Sequence, residues 1–187
     1  MKRGVRGAVL VGGASTRMGG APKGLLRTAS GETILERWAR LFAELGIPHL
    51  LVGDAASYGS SGHGAIPDDP PGIGPLGGLV AALRAGEAPV VVVACDMPFV
   101  SRALLERLAT HPSEAAIVAA RRDDRYEPLF ARYDPARVLP VAEAHVRSRE
   151  LSLQKLLRAC AADVLPLSDE EAAELRDWDT PEDVAAK

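Results

Sequence analysis

Val9-Leu10-Val11-Gly12-Gly13-Ala14-Ser15-Thr16-Arg17-Met18-Gly19-Gly20-Ala21-Pro22-Lys23-Gly24-Leu25-Leu26 starts as a strand and turns into a glycine-rich loop. Gly7 to Val11 is the short apolar run that a buried parallel strand needs. Glycines then follow at 12, 13, 19, 20 and 24, with Ser15 and Thr16 between them. Glycine lets a backbone approach a ligand closely, and successive N–H groups in a turn form a concavity for anions. Arg17 and Lys23 add two positive charges to the same loop. The stretch reads as a phosphate cradle; a glycine-rich surface loop without a ligand is the alternative. A Walker A loop is excluded, because Gly20 follows Gly19 where that motif needs lysine, and Gly24 follows Lys23 where it needs Ser or Thr. The dinucleotide fingerprint G-x-G-x-x-G is absent from the loop as well.

Working outward, the 187 residues suggest one domain, and the chain is taken as a single domain over 1–187. Aromatic residues make up only 4%, so the core is built from Val, Leu, Ile and Ala, as suits a parallel α/β sheet. A net charge of −3 argues against a general nucleic-acid surface, while a local positive pocket at Arg17 and Lys23 is compatible with it. Two cysteines make neither a disulfide framework nor a zinc site, and Cys95 reads as a small buried residue. Met1-Lys2-Arg3 leads into the first strand without an apolar signal segment, and no run approaches the roughly 18 apolar residues of a membrane span. A cytoplasmic protein that engages no membrane is expected.

Further along, Leu25 to Arg27 reads as a short extended piece, and Thr33 with Glu36 forms a capping box for a helix ending at Gly46. Pro48 to Val52 is a second strand with His49 exposed at its start, and Ala65 to Pro67 a brief third. Gly74-Pro75 opens a helix, yet Gly77 and Gly78 in its first turn each cost about 1 kcal/mol against Ala. Close approach of a nucleobase or ribose explains that cost; so does tight helix–sheet packing. Ala115 to Ala120 and Tyr126 to Tyr133 are strands around a charged turn, the second antiparallel, with Glu127-Pro128 toward an acceptor substrate. Helices follow at Asp134-Pro135, with Pro140 kinking it or delaying its start, and at Ser148 to Cys160, with Leu151 inward. Asp163 to Leu167 is a last strand.

Pro89 to Ala94, with four consecutive valines, is the strongest strand and ends in Cys95-Asp96-Met97-Pro98. Ligands of open α/β sheets sit at the carboxyl ends of strands, and Mg²⁺ binds through one or two carboxylates plus substrate phosphates. Asp96 is therefore the candidate metal ligand; a turn or cap aspartate is the alternative, although Ser101 fits the cap better. Thr180-Pro181 opens a C-terminal helix, with Glu182 and Asp183 in its first turn, on capping grounds alone. Asp177 and Asp179 are not so explained. One of them, with Asp179 the candidate, completes the Mg²⁺ site.

Five segments in order now resemble the molybdenum cofactor guanylyltransferases (the MobA family): the loop at Val9–Leu26, Gly74-Pro75-Leu76-Gly77-Gly78, Cys95-Asp96-Met97-Pro98, Glu127-Pro128-Leu129-Phe130 and Asp179-Thr180-Pro181-Glu182-Asp183. The resemblance implies a three-layer α/β sandwich, with a mostly parallel Rossmann-like sheet of the nucleotide-diphospho-sugar transferase type and helices on both faces. It implies guanine contacts at Leu10, Val11 and Gly12, with Gly13 beside them. It places Lys23 on the triphosphate, Asp68 and Gly77 in the nucleotide pocket, and Asp96 on Mg²⁺. The implied reaction joins GMP from GTP to the Mo-molybdopterin cofactor and releases pyrophosphate, with Arg17 and Lys23 neutralising phosphate charge. GTP and the molybdopterin cofactor are then the substrates, and a molybdoenzyme or cofactor-biosynthesis protein the partner. The chain departs from the family pattern at two places: Gly53 stands where Asn is common, and Asp177-Trp178-Asp179 where Asn-x-Asn is usual. A related enzyme using CTP or another phosphorylated acceptor is the alternative, and a cofactor-carrying binding module is the non-enzymatic one.

Overall fold

A strand buried on both faces needs apolar residues at every position, and Val90–Val93 meets that need at the middle of a sheet. The computed structural model describes residues 4–11, 22–53, 58 and 65–178. Its strands are β1 (Arg6–Leu10), β2 (His49–Val52), β3 (Ala65–Ile66), β4 (Val90–Ala94), β5 (Ile117–Arg122), β6 (Arg125–Tyr133) and β7 (Asp163–Leu165). They form one sheet in the order β3-β2-β1-β4-β6-β5-β7. Only β6 runs against the rest, pairing antiparallel with both β4 and β5. The helices are α1 (Ile34–Glu44), α2 (Pro75–Arg84), α3 (Arg102–Thr110), α4 (Pro135–Arg147), α5 (Leu153–Ala159) and α6 (Asp169–Glu174).

Alternation along β4 divides the core. Val91 and Val93 pack with Trp38 and Phe42 of α1 and Leu104, Leu105 and Leu108 of α3. Val90 and Val92 pack with Leu76, Leu79 and Leu83 of α2, Val138 of α4, and Leu156 and Leu157 of α5. Helices on both faces of a mostly parallel sheet make the expected three-layer α/β architecture. Among the described residues no helix is long and apolar enough to cross a membrane.

Local signals account for most helix starts. Thr33 accepts the Glu36 N–H at 3.1 Å, and Glu36 reaches back to the Thr33 N–H at 2.6 Å, completing the capping box. Several expectations are corrected. Lys23–Leu25 is a 3₁₀ turn, and extended backbone begins only at Leu26. His49 is half-buried, stacked on Phe42 with centroids 5.2 Å apart. Helix α4 starts at Pro135 and carries Pro140 inside it. The next helix starts after Ser152, not at Ser148, because Arg149 takes a left-handed φ of 57°. Leu151 consequently lies outside the helix and is 40% exposed. The charged turn shrinks to Asp123-Asp124, since both strands extend into the flanking arginines.

Candidate active site

Parallel pairing sets the geometry. Leu10 lies opposite Ala94 in the β1–β4 register, and the Cys95 N–H donates to the Leu10 carbonyl at 3.1 Å. The chain after β4 therefore emerges beside the end of β1, where the glycine-rich loop begins. Lys23, at the start of the 3₁₀ turn, reaches Asp96 there. Its Nζ lies 3.0 Å from Asp96 Oδ2, with side-chain exposures of 19% and 21%. Two residues 73 positions apart, one in the expected phosphate loop and one at the expected metal position, thus meet at the carboxyl end of β4.

A second cluster flanks the other side of Leu10. A Cβ built on Gly78 would sit 3.1 Å from Leu10 Cδ2 and 3.2 Å from Asp68 Oδ1. Leu10, Asp68 and the first turn of α2 therefore converge. Burial alone pushes the Asp68 carboxyl up from its ordinary value. At Gly77 the neighbour is protein: a Cβ would lie 2.4 Å from the Pro70 carbonyl oxygen. The Asp69 N–H donates to the Gly77 carbonyl at 3.2 Å, so the Asp68–Pro70 segment runs against the helix. Of the two explanations for this glycine, close chain packing suffices. Val11 is buried and donates its N–H to the Val52 carbonyl at 2.8 Å. Gly12, Gly13, Arg17 and Asp179 lie outside the described residues.

The residues around Asp96 decide what it can hold. Among the described residues no group of three or more His, Cys, Asp or Glu side chains could form a metal cage. Magnesium does not require one: it keeps several waters and takes one or two carboxylates together with substrate phosphates. The ion pair engages Oδ2, and Asp96 retains a second carboxylate oxygen, so the donor set fits that mode of binding. Cys95 next to it is buried, and burial, with the Asp96 charge adding to it, pushes its thiol up to about 12. It stays a neutral thiol at physiological pH and supplies no nucleophile.

A strap missed by sequence reasoning holds this loop. Helix α6 starts at Ser168 with a capping box closed by Glu171, the one signal that pointed to it. At its last residue Glu174 Oε2 accepts the Ser101 N–H at 2.7 Å, and beyond the helix the Trp178 N–H donates to the Asp96 carbonyl at 2.9 Å. The Trp178 ring is buried and meets Phe99 edge-on at 5.9 Å.

On the same sheet edge a cavity of about 610 Å³ is lined by Pro75, Arg122, Tyr126, Glu127, Leu151 and Gln154, among others. The β4–β6 register, Val93 opposite Phe130, puts Glu127-Pro128 on the edge where Asp96 emerges. Gln154 clamps Tyr126 at two points, donating to its carbonyl at 2.7 Å and accepting its N–H at 3.2 Å. Arg122 pairs with Glu127 at 2.6 Å. Arg147 and Arg149 are exposed, and Arg147 pairs with Glu143.

The family model for the MobA-like NTP transferase domain matches residues 7–164. A probable molybdenum cofactor guanylyltransferase of Opitutus terrae is 35% identical over 189 aligned positions, covering 95% of this chain and 91% of that protein. A molybdenum cofactor guanylyltransferase of Pseudomonas putida is 36% identical, covering 93% and 92%. Among solved structures, the molybdopterin-guanine dinucleotide biosynthesis protein A of Archaeoglobus fulgidus superposes with a TM-score of 0.80 at 24% identity, covering 97% of this chain and 95% of that one. The chain belongs to the MobA-like NTP transferases and, within them, to the molybdenum cofactor guanylyltransferase family.

Proposed function

We propose that the chain transfers GMP from GTP to the terminal phosphate of the Mo-molybdopterin cofactor, forming the guanine dinucleotide and releasing pyrophosphate. The observation that carries this is the Lys23–Asp96 contact of 3.0 Å at the carboxyl end of β4. An ammonium suits phosphate oxygens and a carboxylate suits a hard cation, and the contact puts both at adjoining positions. An oxygen of the acceptor's phosphate monoester attacks the α-phosphorus, and the bond from the α-phosphorus to the bridging oxygen breaks. That monoester is already ionised, so positioning and charge neutralisation replace a strong protein base. Lys23, with Arg17, would neutralise the departing pyrophosphate. Bound at Asp96 and Asp179, Mg²⁺ would supply Lewis-acid neutralisation of the phosphates. Leu10 to Gly13 and Asp68 would hold the nucleotide. The cavity beside Glu127-Pro128 is where the acceptor would enter, since it shares the Asp96 edge and carries Arg122.

Pyrophosphate release from each of the four NTPs, with Mo-molybdopterin and with or without Mg²⁺, tests this function. Turnover is expected with GTP and Mg²⁺; equal turnover with CTP, or full turnover without a divalent cation, overturns it.

A further inference from the structure

A buried tyrosine packs against the turn that carries Lys23. Tyr58 is 3% exposed, within the apolar cluster of Leu35, Trp38 and Met97. A hydroxyl costs free energy in such surroundings unless it is bonded, and Phe would fill the same space without that cost. The Tyr58 hydroxyl accepts the Gly24 N–H at 3.3 Å. The Cys95 thiol is buried in the same cluster, on the Tyr58 side of the Asp96 loop, and the Tyr58 hydroxyl offsets part of the burial that pushes that thiol up. Gly24 follows Lys23 in the chain, and Cys95 precedes Asp96. One buried tyrosine is therefore bonded to the Lys23 turn and packed in one cluster with Cys95 and Met97, the two neighbours of Asp96. The packing agrees: a Cβ on Gly24 would lie 2.8 Å from Leu35 Cγ and 3.1 Å from Tyr58 Cε1. The Lys23 turn thus sits directly against the Tyr58 ring, with no space for a side chain between them.

The geometry points to Tyr58 as a positioning residue that sets the separation of Lys23 from Asp96, and so the fit of metal-bound triphosphate. It touches neither substrate nor metal. The inference rests on the assignment of Lys23 and Asp96 to nucleotide and metal, and the experiment keeps the two apart. Tyr58→Phe removes one oxygen and keeps the ring; Gly24→Ala forces a methyl between the same turn and the Leu35 and Tyr58 side chains. Each is compared with wild type and Lys23→Ala by two readouts. One is binding of Mn²⁺ in the presence of GTP, followed by electron paramagnetic resonance. The other is steady-state turnover with GTP and Mo-molybdopterin.

For Tyr58→Phe and Gly24→Ala, Mn²⁺ binding with GTP is expected to weaken at least about fivefold and kcat to fall about tenfold, as small misplacements of reacting groups do. The KM for the acceptor is expected to stay at the wild-type value. Wild-type Mn²⁺ affinity and kcat in both variants, with Lys23→Ala impaired, overturns the role of Tyr58 and leaves the assignment of Lys23 standing. Wild-type behaviour in Lys23→Ala overturns that assignment itself. A lower melting temperature in Tyr58→Phe with both readouts unchanged makes Tyr58 a core residue only, and also overturns the inference.

Discussion

The Lys23 ammonium and the Asp96 carboxylate are each about four-fifths shielded from solvent, and each offsets the other's charge. Replacing Lys23 or Asp96 with alanine is expected to lower turnover on the order of 10²-fold or more, the loss typical of removing one preorganised electrostatic group. Initial rates of pyrophosphate release check this, and near-wild-type rates in either variant count against both roles. Asp68 carries a different signature. Burial raises its folded pKa above the unfolded value, so the native state holds this proton to higher pH than the unfolded chain does. The sign follows: below the ordinary aspartate range, near pH 4, both states are protonated and Asp68 is neutral to stability. As pH rises through the raised value, its ionisation costs stability, and that cost persists at neutral pH. Asp68→Asn is therefore expected to raise the melting temperature at pH 7 and leave it unchanged near pH 3, while weakening GTP binding. Both were legible as carboxylates in suggestive places, Asp96 from the strand before it and Asp68 from family resemblance. The Lys23–Asp96 contact was not, because 73 residues separate the partners and only the β1–β4 register brings them together.

At the scale of elements, the Asp96 loop is held from two directions. The Cys95 N–H joins it to β1, and the Trp178 N–H joins it to the segment after α6. Trp178→Ala removes a buried ring and is expected to cost about 3–5 kcal/mol, the usual range for a large core aromatic. Denaturant melts give that figure, and a loss below 1 kcal/mol would show that the strap contributes little. Phe99, 41% exposed beside the same ring, is expected to cost much less when truncated. Elements with strong local punctuation were readable: the capping box at Thr33, Gly74-Pro75 before α2, the valine run of β4. Helix α6 was missed although Ser168 and Glu171 form a capping box, because its six residues bury no side chain and show no apolar stripe. Leu151 was misplaced for a related reason. Helical spacing continues through it, but the left-handed turn at Arg149 breaks the chain first. Gly77 shows the limit of local reasoning: its bareness signals close approach, and only the fold reveals the Pro70 carbonyl as the neighbour.

Across the whole molecule, the doubly buried sheet was legible in the valines and in the scarcity of aromatics, since a core of small branched side chains suits helices on both faces. Strand order was not, because β7 beside β5 and β6 between β4 and β5 are choices of long-range pairing that leave no periodic trace. The arrangement has a thermodynamic consequence. Lys23 precedes α1, Asp68 follows β3 and Asp96 follows β4, so the proposed nucleotide site exists only when the central strands are assembled. A ligand binding there binds the native state and not the unfolded chain, and stabilises the fold by mass action. At a GTP concentration one hundred times its dissociation constant, with Mg²⁺ present, the gain is about 2.7 kcal/mol. For a chain of this size each kcal/mol raises the melting temperature by about 2–4 °C, giving a shift of roughly 5–11 °C. Differential scanning calorimetry measures it directly. In Lys23→Ala the shift at the same GTP concentration is expected to collapse to within about 2 °C, since weakened binding leaves the site largely unsaturated. A full shift in that variant would mean that the nucleotide is held by residues other than those at the end of β4, and that the ion pair is a structural contact.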